Sequence, residues 1–132
     1  MSQQLANYDD ISVLFFNTTL KKSPTTSHTD GIIDASRKLY EKAGAHVEEI
    51  RTIDHAIATG VQPDMTKEGW DKDSWPQIYK KVVASDIVII AGPIWLGDNS
   101  SETKKLIERL YANSADENDK KQAIYYGKVG AA

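Results

Sequence analysis

The sequence predicts an α/β fold in which βαβ units build a parallel sheet. Residues 11–16 and 86–91 are almost continuous apolar runs, which are typical of strands that are buried on both faces. Segments with a helical apolar period alternate with these runs, and this alternation indicates parallel strands. The chain has 132 residues, the size of one domain, and we expect residues 11–132 to form that domain after a polar tail at residues 1–10.

Composition excludes several functional classes. The net charge is −3 and no basic stripe is visible, which disfavours a nucleic-acid partner. The chain has no cysteine, so disulfides, iron–sulfur clusters and thiolate metal sites are excluded, and the histidine spacing suggests no metal. The longest apolar run, residues 87–91, is far too short to span a membrane. The polar N-terminus does not resemble a secretory signal, so we expect a cytoplasmic protein.

The first βαβ unit is predicted to consist of the strand at residues 11–16, a helix at residues 30–43 and a weaker strand at residues 45–50. The buried stripe of the helix is expected to comprise Ile32, Ala35, Leu39 and Ala43. Gly44 occupies the position at which a left-handed residue ends many helices. Between the first strand and the helix, residues 17–29 form a polar loop rich in hydroxyl groups.

The second half begins with residues 52–74, a long segment without periodicity that is expected to be functional or mobile. Ser74 is predicted to cap the next helix, and residues 86–91 form the strongest strand. Asn99 and Glu102 resemble a capping box that starts a third helix. The buried stripe of that helix is predicted to contain Leu106, Ile107, Leu110 and Tyr111. Exposed positions are expected at Lys104, Lys105, Glu108 and Arg109, and in a solvated turn of Asp71, Lys72 and Asp73.

The loop after the first strand has the residues of a phosphate site. It leads into a helix N-terminus, where unpaired N–H groups and the helix dipole favour an anion. Hydroxyls of Thr19, Ser27 and Thr29 would add donors, and Lys21 would supply positive charge. The alternative is that these hydroxyls merely cap the helix and fill a solvated loop. The glycine patterns of nucleotide-triphosphate and dinucleotide sites are absent from the loop, which favours a phosphate monoester.

The loop after the strongest strand, residues 92–101, has the residues of a platform for a flat ligand. Glycine and proline allow close approach of the main chain, and Trp95 offers an aromatic surface. The alternative is that Trp95 and Leu96 are packing residues and that the glycines only turn the chain. In parallel sheets, ligands bind beyond the carboxyl ends of the strands, which is where both loops are expected to lie.

Together the two loops resemble the NAD(P)H-dependent FMN reductase family, also called flavodoxin-like oxidoreductases. The first motif is Thr19-Leu20-Lys21 followed by Ser27-His28-Thr29. The second and more diagnostic motif is Pro93-Ile94-Trp95-Leu96-Gly97-Asp98-Asn99-Ser100. The resemblance extends over residues 11–131.

This resemblance implies a flavodoxin-like three-layer α/β/α sandwich whose parallel sheet has the order 2-1-3-4. The fourth strand is expected at residues 128–132, and a fifth strand, the ligand loop before it and the last helix are expected to be missing. FMN would be held at its phosphate by Thr19, Lys21, Ser27 and Thr29. Its ring would lie on Pro93, Ile94, Trp95, Leu96, Gly97 and Ser100.

The resemblance also implies an oxidoreductase that passes electrons from NADPH or NADH through FMN to a small acceptor such as a quinone or a flavin. No catalytic side chain is expected, because the chemistry belongs to the cofactor. A homodimer is expected by analogy with the family. The alternatives are a non-catalytic flavodoxin-like scaffold protein that has lost the full cofactor site, and a phosphoacceptor receiver domain. The second is disfavoured because Asn17-Thr18 and Gly92-Pro93 replace its acidic residues.

Overall fold

The computed structural model describes residues 7–132 and contains three α-helices and six strands in that range. The strands are β1 (Ser12–Asn17), β2 (His46–Arg51), β3 (Ile87–Ala91), β4 (Ile94–Trp95), β5 (Asp98–Asn99) and β6 (Val129–Ala131). The helices are α1 (His28–Lys42), α2 (Trp75–Ala84) and α3 (Ser101–Ala112). Short 3-10 helices lie at Thr52–Asp54 and Met65–Glu68. The first six residues of the predicted tail lie outside the described residues.

The main sheet is parallel and has the order β2-β1-β3-β6. This confirms the predicted order 2-1-3-4, with β6 as the fourth strand of the sheet. One apolar core lies between the sheet and α1, and a second lies between the opposite face and helices α2 and α3. The three-layer α/β/α sandwich is therefore confirmed. Strands β4 and β5 form a separate antiparallel hairpin.

The central strand β1 is buried on both faces, as its continuous apolar sequence predicts. Successive side chains point to opposite faces of a strand, so they divide between the two cores. Leu14 and Phe16 join the core under α2 and α3, whereas Val13 and Phe15 join the core under α1. This strand pairs with β2 on one side and with β3 on the other, so its carboxyl end, Asn17, lies in the middle of the sheet edge.

Helix α1 begins and ends as its local signals require, but the predicted buried stripe is wrong. Ser27 and Asp30 form a reciprocal capping box, and Gly44 has a φ of +95° after the helix. Ile33 is buried, whereas Ile32 and Leu39 are 67% and 71% exposed. The sequence period is compatible with two adjacent stripes, and the choice between them depends on how the helix rests on the sheet.

The segment at residues 52–74 is anchored by an ion pair that the sequence analysis placed in solvent. The Asp73 carboxylate lies 2.7 Å from the Arg109 guanidinium, and both side chains are fully buried. Asp73 also accepts backbone N–H bonds from Ala58, Met65 and Trp75. The predictions of a solvated turn at Asp73 and an exposed Arg109 are therefore wrong. A folded segment, fastened to α3 by a buried charge pair, replaces the expected irregular loop.

Other predictions about the helix ends and α3 also need correction. Ser74 makes no side-chain cap, and its neighbour Asp73 accepts the Trp75 N–H instead. The cap of α3 is Ser100 rather than Asn99, because the Ser100 hydroxyl accepts the Thr103 N–H at 3.1 Å. Two residues of the predicted buried stripe of α3, Ile107 and Tyr111, are exposed. Between residues 7 and 132, every helix is too short or too polar to cross a membrane.

Candidate functional site

The two loops singled out by the sequence meet at the carboxyl edge of the sheet. The Thr18 N–H donates to the Ala91 carbonyl at 2.9 Å, which joins the end of β1 to the end of β3. The Thr18 hydroxyl lies 2.5 Å from the Thr103 hydroxyl. The Ser100 hydroxyl donates to the Thr18 carbonyl at 2.9 Å. The first loop is therefore fastened to the start of α3 by buried hydroxyl groups.

Gly92 makes this junction possible. A Cβ atom at this position would collide with the Thr18 hydroxyl and lie 2.8 Å from the Thr103 hydroxyl. Real side chains do not tolerate such contacts, and these hydroxyls are held in their places by hydrogen bonds. Residue 92 must therefore be glycine for the two loops to lie side by side.

The first loop, residues 18–27, is called the phosphate loop here because of the chemistry predicted for it. Thr19 is buried, and its hydroxyl accepts the Lys21 N–H at 3.3 Å. Ser27 and Thr29 are also buried, and the Ser27 hydroxyl caps α1. Lys21 is exposed, and its Nζ atom lies 3.5 Å from the Thr26 carbonyl. The structure thus brings all four predicted phosphate residues to one loop and one helix end.

Asp30, in the first turn of α1, links the phosphate loop to the sheet. Its carboxylate accepts hydrogen bonds from the Ser27 N–H, the Asn17 amide and the Arg51 guanidinium, each at 2.7 Å. Burial acts to raise the pKa of Asp30, but the hydrogen bonds from Ser27 and Asn17 and the charge of Arg51 lower it overall. The carboxylate is therefore ionised at neutral pH, and Arg51 balances its charge.

Three residues beside the phosphate loop were missed by the sequence analysis: Asn17, Arg51 and Asp54. The Arg51 guanidinium donates to the carbonyls of Lys21 and Thr25. Asp54 accepts hydrogen bonds from the N–H and hydroxyl of Ser23, and these bonds lower its pKa. Arg51 ends β2 and Asp54 follows it, so their place at the carboxyl edge next to β1 was the available signal.

The second loop, here called the ring loop, is residues 92–100 and contains the β4–β5 hairpin. Leu96 and Gly97 have φ angles of +54° and +74°, which is the conformation of a tight two-residue hairpin turn. Trp95 is 50% exposed and Leu96 is fully exposed at the tip. By contrast, Ser100 is buried and its hydroxyl is already hydrogen-bonded to Thr18 and Thr103.

A cavity of about 600 Å³ starts at this edge and runs along α1 over β3. Its size lies in the range of small-molecule sites. Of the predicted ligand residues, Thr29, Pro93 and Ile94 line it, and the others lie outside it. Its remaining walls are largely apolar. In residues 7–132, no cluster of histidine and acidic side chains is arranged to hold a metal ion.

Several known proteins are similar to this chain. A family model described as NADPH-dependent FMN reductase matches residues 11–132. The 8-demethyl-8-aminoriboflavin-5'-phosphate synthase of Streptomyces davaonensis is 35% identical over 132 residues, which cover 90% of this chain and 48% of that protein. A protein named divalent metal cation transporter MntH, from Mycobacterium bovis, is 50% identical over 123 residues, which cover 93% of this chain and 18% of that protein.

Solved structures are also similar to this chain, among them the following two. RosB, whose crystal structure contains the intermediate 8-demethyl-8-formylriboflavin-5'-phosphate, matches with a TM-score of 0.81 and 35% identity over 91% of this chain and 50% of its own. An FMN-dependent NADH-azoreductase from Bacillus anthracis, in complex with FMN, matches with a TM-score of 0.55 and 13% identity over 74% of this chain and 54% of its own. The second likeness concerns the fold alone. The chain spans about half the length of these flavin-related proteins and less than a fifth of the transporter-named one.

Proposed function

The chain belongs to the NADPH-dependent FMN reductase family, and we propose that it is an FMN-dependent oxidoreductase. Electrons would pass from NADPH or NADH through FMN to a small acceptor such as a quinone or a flavin. The observation that carries this proposal is the junction of the two loops. One loop has the donors for a phosphate and the other has exposed apolar surface for a flat ring, and Gly92 lets them lie side by side.

The donors of the phosphate loop fit a phosphate monoester. Among the described residues, nothing accepts a hydrogen bond from the backbone N–H groups of Leu20, Lys22 and Thr26. Lys21 and Lys22 are exposed and belong to the same loop as these N–H groups, and the N-terminus of α1 follows directly. Unpaired N–H groups, positive side chains and a helix N-terminus are the combination that binds phosphate. The donors of the phosphate loop therefore fit the phosphate group of FMN.

The ring loop supplies the complementary surface. Its hairpin exposes Ile94, Trp95 and Leu96, which can contact an aromatic ligand. When bound, FMN supplies the hydride and electron chemistry. The protein's part is to orient the ring by Pro93, Trp95 and Gly97 and to exclude water from one of its faces. The backbone N–H groups of the hairpin would stabilise negative charge on a reduced ring.

A second candidate is that a 5'-phosphorylated flavin is the substrate rather than a resident cofactor. The descriptions of the matches at 35% identity, a synthase of an aminoriboflavin phosphate and RosB with a bound formylriboflavin phosphate, favour it. Both candidates require the same phosphate loop. They differ in whether the flavin is regenerated unchanged in each reaction or is itself converted into the product.

We further propose that the protein forms a homodimer. Of the fourteen large apolar side chains that are exposed among the described residues, seven lie on α1, the ring loop and α3: Ile32, Leu39, Ile94, Trp95, Leu96, Ile107 and Tyr111. Three of these, Ile32, Ile94 and Ile107, line one cavity. Clustered apolar surface marks interaction sites on proteins. Sedimentation equilibrium over a range of concentrations tests this, since a monomer at all concentrations would contradict it.

The absorbance spectrum of the purified protein is the direct test of the function. Flavin absorbance, or its appearance after addition of FMN and removal of excess ligand, is expected. Oxidation of NADPH or NADH with a quinone acceptor should then depend on the bound flavin. Product analysis by mass spectrometry separates the two candidates, because an unchanged flavin supports the oxidoreductase and a flavin altered at its ring supports the synthase-like reaction. Absence of flavin binding would favour the non-catalytic scaffold.

The 132-residue chain by itself is expected to bind FMN weakly, with a Kd on the order of 1 μM or higher. The phosphate loop is held in place, but half of the Trp95 side chain remains open to solvent. Flavin fluorescence titration measures this Kd. A Kd far below about 1 μM would contradict the expectation.

A further inference from the structure

We propose that Arg51 is a positioning residue that turns the backbone N–H groups of the phosphate loop towards the ligand phosphate, with Asp54 as its partner. This inference rests on the proposed function and deepens it. It assigns selectivity for the flavin phosphate to the end of β2. That strand contains none of the predicted ligand residues.

The Arg51 guanidinium gathers two carbonyl groups of the phosphate loop. One terminal nitrogen, Nη1, donates to the Lys21 carbonyl at 3.0 Å and to the Thr25 carbonyl at 2.8 Å. The other, Nη2, donates to the Asp30 carboxylate at 2.7 Å. The side chain is 12% exposed, so these bonds are partly shielded from water. Arg51 therefore ties the beginning and the end of the loop to the first turn of α1.

The planar peptide bond converts this contact into an orientation of donors. The carbonyl of one residue and the N–H of the next point in opposite directions in a trans peptide. Because the carbonyls of Lys21 and Thr25 face Arg51, the N–H groups of Lys22 and Thr26 face away from it. These are two of the N–H groups that have no acceptor among the described residues. Arg51 thus turns two unpaired backbone donors to the side of the loop that faces away from its guanidinium, where they favour an anion.

Arg51 acts through the loop and is not itself the phosphate ligand. Three of its N–H bonds are directed at the loop and at Asp30. The Asp30 carboxylate, whose pKa is lowered, balances the positive charge of Arg51. Direct positive charge for a phosphate comes instead from the exposed Lys21. The role left to Arg51 is to hold the backbone in the conformation that binds.

Asp54 strengthens the same arrangement from the neighbouring 3-10 helix. It accepts the Ser23 N–H at 2.9 Å and the Ser23 hydroxyl. Ser23 lies midway between the two residues whose carbonyls Arg51 holds. The loop is therefore anchored at residues 21, 23 and 25. None of these anchors uses the N–H groups of Lys22 and Thr26, which stay available to the ligand.

The decisive measurement compares FMN with riboflavin, which lacks the phosphate. In Arg51→Ala, FMN affinity is expected to fall about ten- to a hundredfold, as for loss of a charge-assisted contact. Riboflavin affinity should remain within about twofold, because the ring loop has no contact with Arg51. Inorganic phosphate should also compete less well with FMN. Affinities are measured by flavin and tryptophan fluorescence titration.

Two further variants separate positioning from general destabilisation. Arg51→Lys keeps the charge but loses the planar fork, so it should restore part of the FMN preference. Arg37→Ala is the matched control. Arg37 lies on α1, pairs at 2.8 Å with Glu49 of β2, the strand that Arg51 ends, and makes no hydrogen bond to the phosphate loop. Its FMN-to-riboflavin ratio should equal that of the wild type. If Arg51→Ala does not fold, the ratio in Asp54→Asn decides, with an expected fall of about three- to tenfold.

The outcomes distinguish this inference from the proposed function. A wild-type protein that does not bind FMN overturns both. A wild-type protein that prefers FMN over riboflavin, together with a folded Arg51→Ala variant that keeps the preference, overturns the positioning role alone. Loss of FMN and riboflavin affinity in equal measure also overturns it, because that pattern belongs to a structural defect. Selective loss of the FMN preference supports the role.

Discussion

The phosphate loop and the ring loop begin at neighbouring strand ends, yet they are built in opposite ways. The phosphate loop is anchored by Arg51, Asp54 and Asp30 through charge-assisted hydrogen bonds to its backbone. The ring loop ends in a two-stranded hairpin whose tip, Leu96, is fully exposed in a left-handed conformation. One loop is fixed in advance by polar contacts, whereas the other presents apolar surface to solvent.

This difference follows from what each loop is proposed to recognise. A phosphate is strongly hydrated, so its donors must already be oriented if binding is to compensate for lost water. A flat ring is bound by burial of apolar area, which is not directional. Polar anchoring of a loop therefore indicates a charged ligand group, and an exposed aromatic hairpin indicates a surface that a ligand or partner covers.

The largest expected effect concerns the support that both loops share. Arg109 belongs to α3, whose start holds the ring loop, and Asp73 ends the segment that follows Arg51. Asp73→Ala leaves the buried Arg109 charge without its partner, so unfolding free energy should fall by about 3–5 kcal/mol. Urea denaturation measures this, and the exposed Asp71→Ala is the control with a change within about 0.5 kcal/mol. A loss below about 1 kcal/mol for Asp73→Ala would contradict the assignment.

The second effect separates the loops. Lys21→Ala should reduce FMN affinity about ten- to a hundredfold, equivalent to roughly 1.5–3 kcal/mol, and leave riboflavin affinity nearly unchanged. The reason is that Lys21 supplies positive charge to the phosphate loop and riboflavin has no phosphate. Fluorescence titration with both flavins measures the ratio. An equal loss of affinity for the two ligands would contradict the placement of the phosphate in this loop.

The third effect concerns Gly92, at the junction of the two loops. Gly92→Ala forces a methyl group against the hydroxyls of Thr18 and Thr103, so stability should fall by about 1–3 kcal/mol. FMN and riboflavin affinity should fall together, because the junction positions both loops. Gly31→Ala is the control, since a Cβ there meets no atom within 4 Å and the position is helical. It should leave stability unchanged or raise it by about 0.5–1 kcal/mol.

The fourth effect is spectroscopic and concerns the ring loop. If Trp95 contacts the flavin ring, FMN should quench tryptophan fluorescence and Trp95→Leu should remove most of the quench. Trp70 is similarly exposed, at 45%, and Trp70→Leu is therefore the matched control that should keep the quench. Full quenching in Trp95→Leu would instead assign the contact to Trp70, because Trp75 is fully buried.

The smallest effect is the acid dependence of the phosphate loop. Folding lowers the pKa of Asp30 below its usual value of 3.8, so its stabilisation is complete above that pH and is lost as pH falls through the lowered value. Asp30→Asn should therefore be less stable than the wild type at neutral pH, and the two should converge in acid. Urea denaturation between neutral pH and acid measures this, with Asp34→Asn on the exposed side of α1 as the control. A constant difference at every pH would contradict it.

Local patterns were sufficient for much of this protein. Continuous apolar runs located β1 and β3, and Gly44 marked the end of α1, because strand burial and helix termination are encoded within a few residues. Motifs in the two strand-end loops identified the family. The same reasoning placed the phosphate and ring residues at one edge, since parallel strands all end there.

The tertiary structure decided which residues support those loops. The phase of α1 depends on the sheet it rests on, so a correct helical period still exposed Ile32 and Leu39. Asp73 and Arg109 were predicted to face solvent because nothing near them in the sequence shows that they meet across 36 positions. Arg51 reaches Thr25 across 26 positions for the same reason. Period and capping are short-range properties of the chain, whereas a charge finds its partner only when the topology brings distant strand ends together.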